Sequence, residues 1–158
     1  MTESYLNVLE ESLEKKLQVM AEIKECNLRQ QEIFQEERVN LEKFDEFVDR
    51  KDELIDEITK LDSGFEILYQ NVSRELQDNR EKYAEKIKHL QELVTRVTEE
   101  SVTIQAQEAR NKKSVEDYFR KERLNIGQSR RTSKAAYDYY KNMSQSNVVQ
   151  PQFMDNKQ

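Results

Sequence analysis

Helix breakers are nearly absent from this chain. Its 158 residues contain two glycines, Gly64 and Gly127, and one proline, Pro151. A scarcity of breakers combined with abundant Glu, Lys, Gln and Leu is the signature of long helices or coiled coils. Charged residues make up 37% of the chain and hydrophobic residues 35%. Such a balance is also compatible with disorder, so the spacing of the apolar residues has to decide.

The spacing is helical. Leu6, Leu9, Leu13, Leu17, Met20 and Ile23 recur at steps of three and four, and the same face continues through Asn27 and Gln30 or Gln31 to Phe34. A polar break in an apolar seam sets register at some cost in stability. Thr2 or Ser4 is a suitable cap for this first helix. Asn40 is a good N-cap for a second, with Glu42 in its first turn where negative charge is favoured. Its seam runs Leu41, Phe44, Val48, then Leu54, Ile58, Leu61, Phe65, Leu68, Val72 and Leu76, interrupted by Lys51. Ser63-Gly64 falls inside it, where one glycine costs about 1 kcal/mol. After the polar stretch Gln77–Arg80 a third seam takes up Tyr83, Ile87, Leu90, Val94, Val97, Ser101 and Ile104. Glu108 and Asn111 fall on that seam, and Val115, Tyr118 and Ile126 close it, with Gly127 placed as a C-cap.

The pattern predicts an all-α protein: three long helices over roughly 3–36, 40–78 and 80–126, each with one apolar face and none stable alone. Short connections favour antiparallel neighbours, so the simplest arrangement is an elongated up-down-up bundle. The alternative is a single long two-helix hairpin that turns at Ser63-Gly64, with arms 3–61 and 65–126. Residues 1–127 form the expected helical domain. Residues 128–158 form a basic, tyrosine-rich segment and a tail, expected to be mobile. In Lys121–Lys141 the cations Lys121, Arg123, Arg130, Arg131, Lys134 and Lys141 face only Glu122 and Asp138, a reversal of the acidic N-terminal half.

Net charge is -6 and the sequence pI about 5.1. An acidic chain is poorly suited to neutralising phosphates, which argues against nucleic acid as a partner. No run of 18 apolar residues is present, so no membrane insertion is expected. The start of the chain carries Glu3 and lacks the basic and apolar regions of a secretion signal, so the expected location is the cytoplasm.

Nothing in the sequence nominates a catalytic centre or a cofactor. The single histidine, His89, lies beside Leu90 off the apolar face and reads as a solvated residue. The single cysteine, Cys26, has no second cysteine to pair with and reads as a small, partly buried side chain. Asp45, Glu46, Asp49, Asp52, Glu53, Asp56 and Glu57 resemble a metal cluster at first sight. The sixth position of a loop that starts at Asp49 is Leu54 rather than the glycine a calcium loop needs, and Lys43, Arg50, Lys51 and Lys60 interleave at ion-pair spacing. The run therefore reads as a solvated face. No enzyme activity, metal or cofactor is expected.

Tyr137, Tyr139 and Tyr140 cannot all share one helix face, so some are exposed unless another surface covers them. Tyrosine and arginine are enriched at binding hot spots. With the neighbouring Arg130 and Arg131 they are candidate partner-binding residues, against the plainer reading of a short helix docked on the bundle. Asn111, Tyr118 and Phe119, at the edge of the third seam, are the second set of candidates.

Over residues 3–127 the chain resembles the flagellar type III export chaperones of the FlgN/FliT kind. The features that carry the resemblance are the long helix Tyr5–Glu37, the Asn40-initiated charged segment Leu41–Ile55 with its apolar pair, and Glu108-Ala109-Arg110-Asn111-Lys112 late in the last long helix. Gly127 and then Tyr137 follow that helix. The basic, tyrosine-rich end and the tail to Gln158 depart from the shorter family members. The resemblance implies a cytoplasmic chaperone or adaptor that holds a late flagellar substrate, such as a hook-associated or filament-cap protein, before export. It also implies contact with the export apparatus. The helix-in-groove mode of recognition suits such a task. The alternative is a coiled-coil scaffold or self-associating spacer. A monomer or a homodimer is expected.

Overall fold

A computed structural model describes residues 2–122 and the pair Asp138-Tyr139. The described residues form three helices: α1 (Thr2–Gln35), α2 (Leu41–Asp78) and α3 (Ala84–Lys121). Gly127, Ile126, Arg130, Arg131, Tyr137, Tyr140 and the tail lie outside the described residues.

Local chemistry explains the boundaries. Asn40 caps α2 as its side chain implies, with Oδ1 accepting from the Lys43 N–H at 3.1 Å. The cap consumes one of the donors that a helix start leaves unpaired. At the other end of α2, the Asn79 N–H and Nδ2 both donate to the Glu75 carbonyl, at 3.0 and 2.9 Å. Those two bonds close the helix without glycine or proline. The turn therefore occupies residues 79–83, slightly beyond the polar stretch 77–80, and α3 begins at Ala84. At the chain's start, Ser4 lies within α1, since that helix already includes Thr2.

The hydrogen-bond partners of α1 fix the topology. Moving along α1, Lys16, Glu22 and Gln30 meet Asp62, Arg50 and Phe44 of α2, in descending order. Glu10, Lys24, Asn27 and Gln31 meet Lys86, Glu100, Gln107 and Arg110 of α3, in ascending order. Hence α2 runs antiparallel to α1, and α3 parallel to it: the up-down-up bundle. α1 packs along both other helices, whereas the backbones of α2 and α3 hardly approach each other.

The two-helix hairpin is not formed, because Ser63-Gly64 lies inside α2. Breaking the helix there would split the seam between Leu61, packed against the core, and Phe65, buried within it. Burying a large apolar side chain is worth about 1.5–3 kcal/mol, which outweighs the ~1 kcal/mol cost of one helical glycine. A Cβ added at Gly64 meets none of the described residues within 4 Å. Gly64→Ala is therefore expected to stabilise the bundle by about 0.5–1 kcal/mol, read as a higher urea midpoint at unchanged slope.

One continuous core joins all three helices through Leu6, Leu9, Leu13 and Ile23, Leu54, Ile58 and Phe65, and Leu90, Val94 and Val97. A second cluster at the end where α1 stops and α2 starts contains Ile33, Phe44, Val48, Val115 and Tyr139.

Candidate functional site

The polar interruptions of the three seams stand at one level of the bundle. Lys51 of α2 is fully buried and Glu108 of α3 is 5% exposed. Lys51 Nζ donates to Glu108 Oε1 and Oε2 at 2.9 and 3.0 Å, and to Asn27 Oδ1 of α1 at 2.7 Å. Asn27 Nδ2 donates to Gln107 Oε1 at 3.1 Å, and Asn111 Nδ2 to the Asn27 carbonyl at 3.0 Å. One turn further on, Gln30 Nε2 donates to the Phe44 carbonyl at 3.3 Å. The long lysine stem lets α2 reach α3 where their backbones stand apart.

Tyr139 covers this layer. Its hydroxyl donates to Glu108 Oε2 at 2.6 Å, and Lys51 Nζ lies 4.3 Å from the centre of its ring. A short bond to a carboxylate and a cation over an aromatic face are both strengthened by exclusion of water. Burial pulls Lys51 below the usual lysine range, opposed by the neighbouring Glu108 carboxylate. Cys26 is buried beside the layer, and loss of hydration pushes its thiol up, the Lys51 charge acting in the opposite sense. A raised thiol holds little thiolate and is a poor nucleophile.

At the same end of the bundle stands a half-buried aromatic group. Phe34 and Phe44 meet edge-on at 5.3 Å, Phe34 and Tyr118 at 5.9 Å, and Tyr118 and Phe119 edge-on at 5.3 Å between ring centres. Phe34, Tyr118 and Phe119 are each partly exposed.

The sequence candidates thus separate into three groups. Tyr118 and Phe119 lie in the half-buried aromatic group, each partly exposed. Asn111 is 1% exposed and its amide is used inside the bundle, so a partner would reach it only by opening the helices. Tyr139, at 3% exposed, is packed on the bundle itself, as a docked segment would be. Arg130, Arg131, Tyr137 and Tyr140 lie outside the described residues. His89 is exposed and 3.9 Å from Glu92 Oε1. The acidic face of α2 carries surface pairs, among them Arg50 with Glu53 and Glu22. No metal-holding cluster occurs among the described residues.

Lys16 is a buried polar residue that the seam pattern does not single out. It is 1% exposed and donates to Asp62 Oδ1 at 2.8 Å, a second ionic contact between α1 and α2. A signal for it exists: Lys16 follows Leu13 by three and precedes Met20 by four, the spacing of the seam itself. Gln107 carries the same signal, following Ile104 by three and preceding Asn111 by four.

Among the described residues, no helix is long and apolar enough to cross a membrane. Compared with known proteins, the chain matches no family model, no curated protein and no solved structure. The described residues define an up-down-up bundle of three long helices with an ionic layer in its core and an aromatic group at one end.

Proposed function

We propose that this protein binds another polypeptide chain and acts as a cytoplasmic export chaperone or adaptor. The observation that carries the reading is the half-exposed aromatic group Phe34, Tyr118 and Phe119 at one end of an otherwise charged bundle. Aromatic side chains of this kind dominate the energetics of protein interfaces, whereas a solvated charged face contributes mainly to encounter. The bundle supplies rigidity beneath the patch, since Phe34 packs on the buried Phe44. The resemblance to flagellar export chaperones supports a late flagellar substrate, a hook-associated or filament-cap protein, as the partner. The export apparatus is the second expected contact.

The test is capture of a bound chain by the tagged protein from its own cells, with mass spectrometry of what stays bound. Tyr118→Ala with Phe119→Ala is expected to shorten the life of the complex, lowering affinity by about 30-fold or more at an interface hot spot. The melting temperature should shift far less than in a core variant. A scaffold reading predicts instead a melting temperature that rises with protein concentration and no dependence of capture on these rings.

A further inference from the structure

A second surface lies between the first half of α1 and the middle of α2, on neither the aromatic end nor the ionic layer. An open groove of about 330 Å³ is lined by Val8 and the buried Leu9 of α1 and by Leu61, Gly64, the buried Phe65 and Leu68 of α2. Val8 is 49% exposed. Gly64 is the informative residue. A glycine inside a helix is destabilising, and its usual justification is the close approach of another backbone. Here none of the described residues stands within 4 Å of the position a Cβ would take. Gly64 is exposed, so its missing side chain lowers one wall of the groove and leaves room for an approaching backbone. The rim carries Lys15 and Lys60 against one carboxylate, Glu11, in a protein whose net charge is -6. Lys60 is also 3.6 Å from Asp56, but both groups are more than two-thirds exposed, 78% and 70%, so that pair yields readily to competition.

From this groove we infer that the α1–α2 face is a docking site for an amphipathic helix of a partner protein. That helix crosses at Gly64, seats a bulky apolar side chain against Val8, Leu61 and Leu68, and carries carboxylates one turn away that meet Lys15 and Lys60. The inference rests on the proposed role as a protein-binding module but concerns a different surface from the aromatic end. It also assigns the sign of the partner's charge, which the acidic composition of the chain would not suggest.

The probe is an alanine-based helical peptide with a leucine stripe flanked by glutamates. Its twin carries lysines in place of the glutamates, and both are titrated against the full chain at low salt, where rim charges are least screened. The glutamate peptide is expected to bind at least about tenfold tighter than its twin. Gly64→Leu should fill the groove and lower that affinity at least about tenfold. Its melting temperature should not fall, because the site has room and leucine is a better helix former than glycine. Lys15→Glu with Lys60→Glu should reverse the preference between the peptides. Equal binding of the two peptides, or full affinity in Gly64→Leu, would overturn the assignment. So would self-association of the full chain that Gly64→Leu dissolves, since the occupant would then be a second copy. Partner capture through Tyr118 and Phe119 is measured separately. If Gly64→Leu leaves both capture and peptide binding intact, the groove assignment fails while the chaperone reading stands; if nothing is captured but the glutamate peptide still binds preferentially and Gly64→Leu weakens it, the chaperone reading fails while the groove assignment stands.

Discussion

Glu108→Ala is expected to destabilise the bundle by about 3–5 kcal/mol, a drop in melting temperature on the order of 10 °C or more. The reason lies in what the substitution leaves behind. Lys51 is fully buried and directs its ammonium at Glu108 and Asn27. Removing the carboxylate takes away the counter-charge that this ammonium pairs with, in a site closed to water. The Tyr139 hydroxyl loses the Glu108 acceptor in the same step. Replacing the set together, as Lys51→Met, Asn27→Leu, Glu108→Leu and Tyr139→Phe, should recover part of the loss, because the charge and the acceptors it served disappear with their partners, although Gln107 loses its contact to the Asn27 side chain. Urea unfolding of the single and quadruple variants measures both. A single variant that melts within a degree or two of the native protein would show that the layer is hydrated rather than buried. A quadruple variant no better than the single would show that the pair contributes net stability.

The second large effect concerns the apolar seam. Leu90→Asp is expected to cost about 4 kcal/mol or more, enough to unfold a protein of ordinary marginal stability. Leu90 is 1% exposed and belongs to the cluster that joins all three helices. A carboxylate placed there has no cation of its own and must be buried unpaired or drawn out by opening the helices. Lys88→Asp, two residues away on the exposed side of α3, should change stability by no more than about 0.5 kcal/mol. Thermal melts followed by far-ultraviolet circular dichroism separate the two variants. Equal melting temperatures would mean that the buried face of α3 has been assigned incorrectly.

Much of this core is legible in the amino-acid order alone. Leu6, Leu9, Leu13, Met20 and Ile23 share one face by their spacing, and all are buried. The same holds for Phe44, Val48, Leu54, Ile58 and Phe65, and for Leu90, Val94, Val97 and Ile104. Helical periodicity is a local property, so three- and four-residue steps report it without knowledge of the neighbours. The cap at Asn40 is readable for the same reason, its acceptor being only three residues from the donor it serves. The candidate site is less accessible. Tyr118 and Phe119 are partly exposed, as surface candidates must be, but Asn111, a candidate on the same grounds, is buried. A seam position fixes which way a side chain leaves its helix. It does not say whether another helix stands at that height.

The sequence by itself determined that the chain makes helices, where two of the three begin or end to within a few residues, and which face of each is apolar. It also marked the main interruptions of those faces: Asn27 and Gln30 or Gln31, Lys51, Glu108 and Asn111. Only the tertiary structure decided that the interruptions meet, with Lys51 Nζ between Asn27 Oδ1 and the Glu108 carboxylate. It also decided that Ser63-Gly64 is helix rather than turn, and that Tyr139 closes over the ionic layer. The physical reason is one of range. The angle of a residue around its helix is set by neighbours three and four positions away. Its height relative to another helix is set by the turn positions and by packing over the whole length of the bundle, and that sum is balanced only when all three helices are in place.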